Sequence, residues 1–178
     1  PSDRMIIPKT PSLKGKAWVF GENINTDQIF PKRYFKPIYE PGEMATHLME
    51  GADEQFPDKV GEGDIIVGGN NFGCGSSREE APGAMTEAGV AAVMAPSFGR
   101  IFLRNSINLG LPAVYVTDID QHVSTGDAVE LNLEAGVVRN LTTGYETTFQ
   151  PINPELMKLM EAGGLVEYTK QVLAEKNA

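Results

Sequence analysis

The chain has 178 residues, 41% hydrophobic and 22% charged, a size at which a folded domain buries roughly two-thirds of its unfolded surface. A formal charge of −9 argues against a nucleic-acid partner, which needs clustered cations. The one cysteine, Cys74, excludes an internal disulfide and any thiolate-built metal centre carried by this chain alone. Residues 1–14 contain no apolar h-region, and no segment approaches the ~18 apolar residues of a membrane span, so a cytoplasmic protein without a membrane partner is expected.

Residues 16–20 (KAWVF) read as a first strand, followed by a polar turn at 21–23. Residues 25–31 read as a loop entering a basic, proline-punctuated stretch that runs to Pro41, and 43–49 as a short helix. Residues 61–69 (GEGDIIVGG) are a turn, a short buried strand and a glycine exit. A glycine-rich loop at 70–77 precedes a helix over 78–88 that stops at Gly89, with Pro82 pinning its start nearby. Strand 90–95, helix 98–108 and strand 111–116 alternate as parallel α/β units do. Residues 126–140 form a hairpin about Glu134-Ala135-Gly136, Thr143-Gly144 begin a further reversal, and helices 153–162 and 165–175 flank Gly163-Gly164. The expected fold is α/β, a single domain over 1–178 with a mixed sheet and helices on at least one face.

The loop NNFGCGSS at 70–77 brings the hydroxyls of Ser76 and Ser77, and the guanidinium of Arg78, to a helix start. Such a start offers unpaired N–H groups and partial positive charge to an anion. The same residues also suit a structural role, because Ser76-x-x-Glu79 and Ser77-x-x-Glu80 each match a capping box. No G-x-x-x-x-G-K-[ST] is present, which sets a phosphate loop aside. Local cations stand out in an acidic chain. No acid lies between Ala88 and Thr117, where Arg100 and Arg104 sit, and Lys32, Arg33 and Lys36 form a second basic stretch. They fit either ordinary surface positions or capture of an anionic substrate.

N-T-D-Q-I at 25–29 resembles the D/N-T-D-x-I signature of the aconitase superfamily's swivelling domain. N-F-G-C-G-S-S-R-E at 71–79 matches that family's loop. S-F-G-R-I-F at 97–102 and R-N-x-x-N-x-G at 104–110 match its S-F-A-R-I-F-x-R-N-x-x-N-x-G. N-L-T-T-G at 140–144 and E-A-G-G-L at 161–165 resemble tail segments of isopropylmalate dehydratase small subunits. The matches keep their order and place the core at residues 14–172.

This resemblance implies a swivelling β/β/α domain that works with a large partner subunit, as a heterodimer or heterotetramer. The partner would carry a [4Fe–4S] cluster, one iron acting as a Lewis acid on the substrate hydroxyl and a carboxylate, while this chain binds no cofactor. Ser76 corresponds to the family's catalytic base. Serine is a poor base unless its alkoxide is stabilised, and the helix start, loop amides and Arg78 are suited to that in a water-excluded site. Arg78 is alternatively, or also, a planar fork for a substrate carboxylate. Asp27 resembles the family's active-site carboxylate, and Asn71 and Ser77 fit scaffold or oxyanion roles. Arg104 stands evenly between ion pairing and contact with substrate or partner. Cys74 is read as a loop-packing thiol, and His47 and His122 as surface or structural residues.

Two departures from the family pattern bear on substrate. Glu80 stands where many relatives have histidine, and Tyr39 lies where single-chain aconitases carry a tricarboxylate-binding arginine. The loop YFKPIYE at 34–40 occupies the position that sets substrate choice, with neither Y-L-V-Y nor Y-L-R. Arg33 at its edge, with Phe35, Ile38 and Tyr39, is expected to meet a branched alkyl diacid, and Lys36 to pair with an extra carboxylate if there is one. The resemblance points first to isomerisation of 3-isopropylmalate to 2-isopropylmalate through isopropylmaleate. A dimethylmalate or homoaconitate enzyme, and a non-catalytic domain of the same fold, are the alternatives.

Overall fold

A computed structural model describes residues 12–76 and 78–177. Seven strands form one mixed sheet in the order β4-β3-β2-β1-β5-β6-β7. At its centre β1 (Ser12–Val19) pairs parallel with β2 (Ile65–Val67) and antiparallel with β5 (Ala128–Asn132). The parallel half continues through β3 (Ala92–Ala95) and β4 (Ala113–Tyr115), the antiparallel half through β6 (Val137–Asn140) and β7 (Glu146–Thr148). Connection length explains the split. Tight turns join β5, β6 and β7, whereas helices α3 (Glu80–Glu87) and α4 (Arg100–Asn108) are the crossovers that parallel neighbours require.

Successive strand residues point to opposite faces, and both faces here are covered. Ile66 joins Trp18, Phe72 and Val93 on one face, where α3 adds Ala84 and Met85 and α4 adds Phe102. Ile65 and Val67 join Ala17, Met94 and Val114 on the other, with Met157 from α5 (Pro154–Ala162). A final helix, α6 (Leu165–Lys176), follows Gly163 and Gly164 and buries none of its residues.

Three local expectations are corrected. Residues 25–31 are not all loop, because α1 (Thr26–Ile29) forms a single turn there. Asn25 accepts from the Gln28 N–H at 2.8 Å while its own N–H donates to Gln28 Oε1 at 2.9 Å, a reciprocal cap that closes one turn without any apolar period. Residues 43–49 give only a 3₁₀ turn at Met44–His47, and a further short helix, α2 (Phe56–Lys59), follows it. The third correction concerns α3, which begins later than expected, with Glu79 at its N-cap and no side-chain cap. Pro82 falls at the third helical position and has no N–H to give, so of the two amides a cap side chain binds only that of Ala81 remains, and it faces the Arg78 carbonyl at 3.4 Å. With the N-cap at Glu79, Ser76 lies three residues before the helix and does not cap it, and Ser77 lies outside the described residues.

Candidate functional site

The loops that leave β1, β2 and β3 emerge at the same, carboxyl-terminal edge of the parallel strands, the edge where open α/β sheets bind ligands. They are tied into one unit. Phe72 N–H donates to the Ser97 carbonyl at 3.0 Å, Gly99 N–H to the Phe72 carbonyl at 2.8 Å, and Gly73 N–H to the Ile24 carbonyl at 2.7 Å. Asn71 sits at the crossing point, its N–H on Ser97 Oγ (2.7 Å) and its amide on Asn23 Oδ1 (3.3 Å). Both asparagines have left-handed backbone, φ 60° and 56°, a conformation this residue tolerates better than most. Beneath them Phe72 packs edge-on to Phe102 and Phe98.

Gly73 is held at φ +79°, with the space its Cβ would need already occupied by the Phe102 ring. Beyond it, Thr26 N–H donates to the Cys74 carbonyl at 2.9 Å, and Thr26 Oγ1 to the Ser76 carbonyl at 3.2 Å. The turn α1 therefore buttresses the loop that presents Ser76. Asp27, one residue on, is exposed, and its Oδ1 accepts the Lys32 N–H at 2.8 Å.

Arg78 Nε donates to Ser76 Oγ at 3.0 Å, and the guanidinium lies over the Phe35 ring with its carbon 4.0 Å from the centroid. Phe35 is stacked in turn on the buried Phe30, 5.9 Å between centroids and 11° between planes. Tyr39 meets Phe30 edge-on at 5.8 Å, and its hydroxyl donates to Glu80 Oε2 at 3.1 Å. Burial raises the Tyr39 phenol above its usual range, and the Glu80 and Glu43 carboxylates add to this, so it stays a donor. Ser76, Arg78, Phe35, Tyr39 and Glu80 thus form one connected constellation.

Other expected site residues are committed elsewhere or stand apart. Lys36 pairs with Glu43, whose carboxyl is held below its usual range by that hydrogen bond and by the Glu40 N–H. Arg33 reaches Glu50 at 3.3 Å rather than the Ser76 loop. Glu50 also accepts from Tyr34 Oη (2.6 Å) and meets His47 Nδ1 (2.7 Å), while the Tyr34 and His47 rings stack at 3.5 Å. Ile38 is 81% exposed. Arg104 is exposed on α4, and among the described residues it has no acidic partner and no hydrogen bond to the Ser76 loop. His122 stacks on Tyr145 far along the chain.

Residue reasoning overlooked Thr26, Ser97, Glu43 and Glu50. Thr26 and Ser97 lay inside recognised motifs, so a signal was present for them. Glu43 and Glu50 carried none, since ordinary surface acids look the same in sequence.

Fold and loop architecture together define an aconitase-type swivelling α/β domain, and the family described as "Aconitase C-terminal domain" matches residues 22–118. The 3-isopropylmalate dehydratase small subunit 1 of Methanopyrus kandleri is 54% identical over 159 residues, covering 89% of this chain and 93% of that one. The methanogen homoaconitase small subunit of Methanothermobacter thermautotrophicus is 48% identical over 157 residues, covering 88% and 89%. A crystal structure of 3-isopropylmalate dehydratase from Methanocaldococcus jannaschii superposes with a TM-score of 0.85 at 40% identity, covering 94% of this chain and 99% of that one. The chain belongs to the aconitase C-terminal domain family, among the 3-isopropylmalate dehydratase small subunits, and is thus the small subunit of a hydro-lyase. Membership of a small-subunit group entails a large partner subunit. Among the described residues no helix is long and apolar enough to cross a membrane.

Proposed function

We propose that this chain supplies the proton-abstracting half of a hydro-lyase that interconverts 3-isopropylmalate and 2-isopropylmalate through isopropylmaleate. The observation that carries the reading is the Arg78 Nε donor 3.0 Å from Ser76 Oγ at the rim of the tied loops. In the dehydration direction Ser76 Oγ takes the proton from the carbon next to a carboxylate. The electron pair of that C–H bond becomes the new π bond as the neighbouring hydroxyl departs. Arg78 stabilises the serine oxygen through a charge-assisted bond, and its two Nη groups form no hydrogen bond among the described residues, leaving a fork for a substrate carboxylate. Asp27, Asn71 and Ser77 are assigned orienting roles around this pair.

The one cysteine cannot supply the three or more thiolates of an iron–sulfur cluster, and among the described residues no group of three metal-binding side chains occurs. The [4Fe–4S] cluster is therefore assigned to the large subunit, where it supplies Lewis acidity toward the hydroxyl and a carboxylate. The chain acts as one swivelling domain in a cytoplasmic complex, and its solitary thiol suits a reducing compartment.

A specific contact favours an alkyl group over an extra carboxylate. Lys36 is neutralised by Glu43 and Arg33 by Glu50, so neither is a free cation for the third acid of a homoaconitate, whereas Ile38 offers an uncovered aliphatic side chain at the loop tip.

The test is anaerobic reconstitution with the cluster-bearing subunit, followed by hydration of isopropylmaleate, dimethylmaleate, cis-homoaconitate and cis-aconitate. Isopropylmaleate should turn over fastest, and only with this chain present. Ser76→Ala should lower kcat by about 10²–10⁴-fold, the usual worth of a positioned base. Unchanged turnover in that variant, with the complex formed, would remove Ser76 from the role.

A further inference from the structure

We propose that Phe35 is a positioning residue of the reaction: its ring is the platform that holds the Arg78 guanidinium against Ser76 Oγ. The proposal rests on the reading of Ser76 as the base. Among the described residues no carboxylate lies within 4 Å of Arg78, and the contacts that fix its head are the Phe35 ring at 4.0 Å and Ser76 itself at 3.0 Å. An arginine without an anionic anchor samples many rotamers unless a surface restrains it. Phe35 is such a surface and is itself immobilised. One face stacks on Phe30, which is 1% exposed, and its N–H is bonded to the Lys32 carbonyl at 3.0 Å. Tyr39 secures the far end of the same loop through Phe30 and Glu80.

The result is a continuous stack from the core to the reacting oxygen, Phe30–Phe35–Arg78–Ser76. A guanidinium held over an aromatic face keeps its N–H groups available to donate, so the ring restrains the head without competing for hydrogen bonds. It follows that the loop at 34–40 serves catalysis as well as substrate choice. Residues that select the substrate and a residue that sets the geometry of proton abstraction share seven positions of the chain.

The experiment compares Phe35→Leu and Phe35→Tyr in the reconstituted complex, each alone and with Ser76→Ala, by steady-state hydration of isopropylmaleate. Leucine keeps apolar bulk but has no π face, and tyrosine keeps the face. The expected result is a kcat about tenfold lower for Phe35→Leu, the scale of one lost cation–π contact, with KM little changed. Phe35→Tyr should retain near wild-type kcat, and Phe35→Leu should add no further loss once Ser76 is alanine. A rise in KM with kcat unchanged would make Phe35 a pocket wall and overturn the proposal. Equal kcat losses for leucine and tyrosine would assign the effect to packing and overturn it too. Full activity in Ser76→Ala alone would instead break the base reading on which the proposal stands, an outcome distinct from either.

Discussion

Gly73→Ala should damage both stability and turnover, because the new methyl meets obstacles on two counts. The backbone at Gly73 has φ +79°, which costs an L-residue about 1–2 kcal/mol. An added Cβ would lie 2.3 Å from Phe102 Cγ, 2.6 Å from its Cβ and 2.7 Å from Cδ2, far inside contact distance. Phe102 is 2% exposed and wedged between Phe72 and Phe98, so it has little room to retreat. Overpacking of that kind costs about 1–3 kcal/mol, giving a total of about 2–5 kcal/mol. For a chain of this length that lowers Tm by about 4–20 °C. Thermal unfolding of the chain followed by circular dichroism measures it. Phe102→Ala in the same background removes the ring carbons but leaves Cβ in place. The pair should therefore be less than additive by about 1 kcal/mol. The loop bearing Ser76 must move to admit the methyl, and a displacement of about 1 Å at a reacting group lowers kcat on the order of 10²-fold. A Tm unchanged within the error of the scan, or strict additivity with Phe102→Ala, would show that the Gly73–Phe102 contact does not constrain the loop.

Arg78→Lys should keep the charge yet lower kcat on the order of 10²-fold, since a single ammonium cannot sit over Phe35 and also donate to Ser76 Oγ from the Nε position; wild-type kcat in this variant, read in the reconstituted assay, would refute the geometric argument. Acid should destabilise the chain through Glu50 and Asp127. Burial alone raises Glu50, but hydrogen bonds from Tyr34 and His47 and the charges of His47 and Arg33 outweigh it, while the Ser124 N–H and the Asn140 amide hold Asp127 down. Both folded values are depressed, so their stabilisation is present above the unfolded values of about 4.3 and 3.9 and is lost as pH falls through the lower folded ones. Tm should therefore drop below about pH 4.5, and less steeply in Glu50→Gln. Cys74→Ala should retain turnover, because the thiol is assigned no ligand role; loss of activity with an intact complex would contradict that.

The parallel half of the sheet was legible because its strands are short apolar runs between glycines, and the helices between them leave only parallel pairing. The turns at 134–136 and 143–144 revealed the antiparallel half in the same way. Single-turn helices were not legible, since α1 is too short to display a period and rests on one reciprocal cap between Asn25 and Gln28. The capping box at Ser76 is not formed, because α3 starts with Glu79 at its N-cap, three residues beyond Ser76. At the site, motif order exposed Ser76, Arg78 and Asn71. The pairing of Lys36 with Glu43 and of Arg33 with Glu50 depends on how a loop folds back on a 3₁₀ turn, and residue types alone do not encode that choice.

The exposure of the Ser76–Arg78 pair bears on the division of labour between the two subunits. Ser76 is exposed at the loop rim, with the Nη edge of Arg78 beside it and the aliphatic Ile38 uncovered on the neighbouring loop. In water an alkoxide gains little from one guanidinium, because high dielectric weakens the interaction and solvent competes for the oxygen. The same donor becomes far more effective once water is excluded. Among the described residues nothing in the tied loops closes over Ser76, whereas Phe35, Tyr39 and the loop hydrogen bonds already fix its direction. On the proposed reading this chain contributes preorganised geometry, and docking against the large subunit contributes the low-dielectric surroundings that make the geometry catalytic. A serine base on an open rim is then a means of confining proton abstraction to the assembled enzyme.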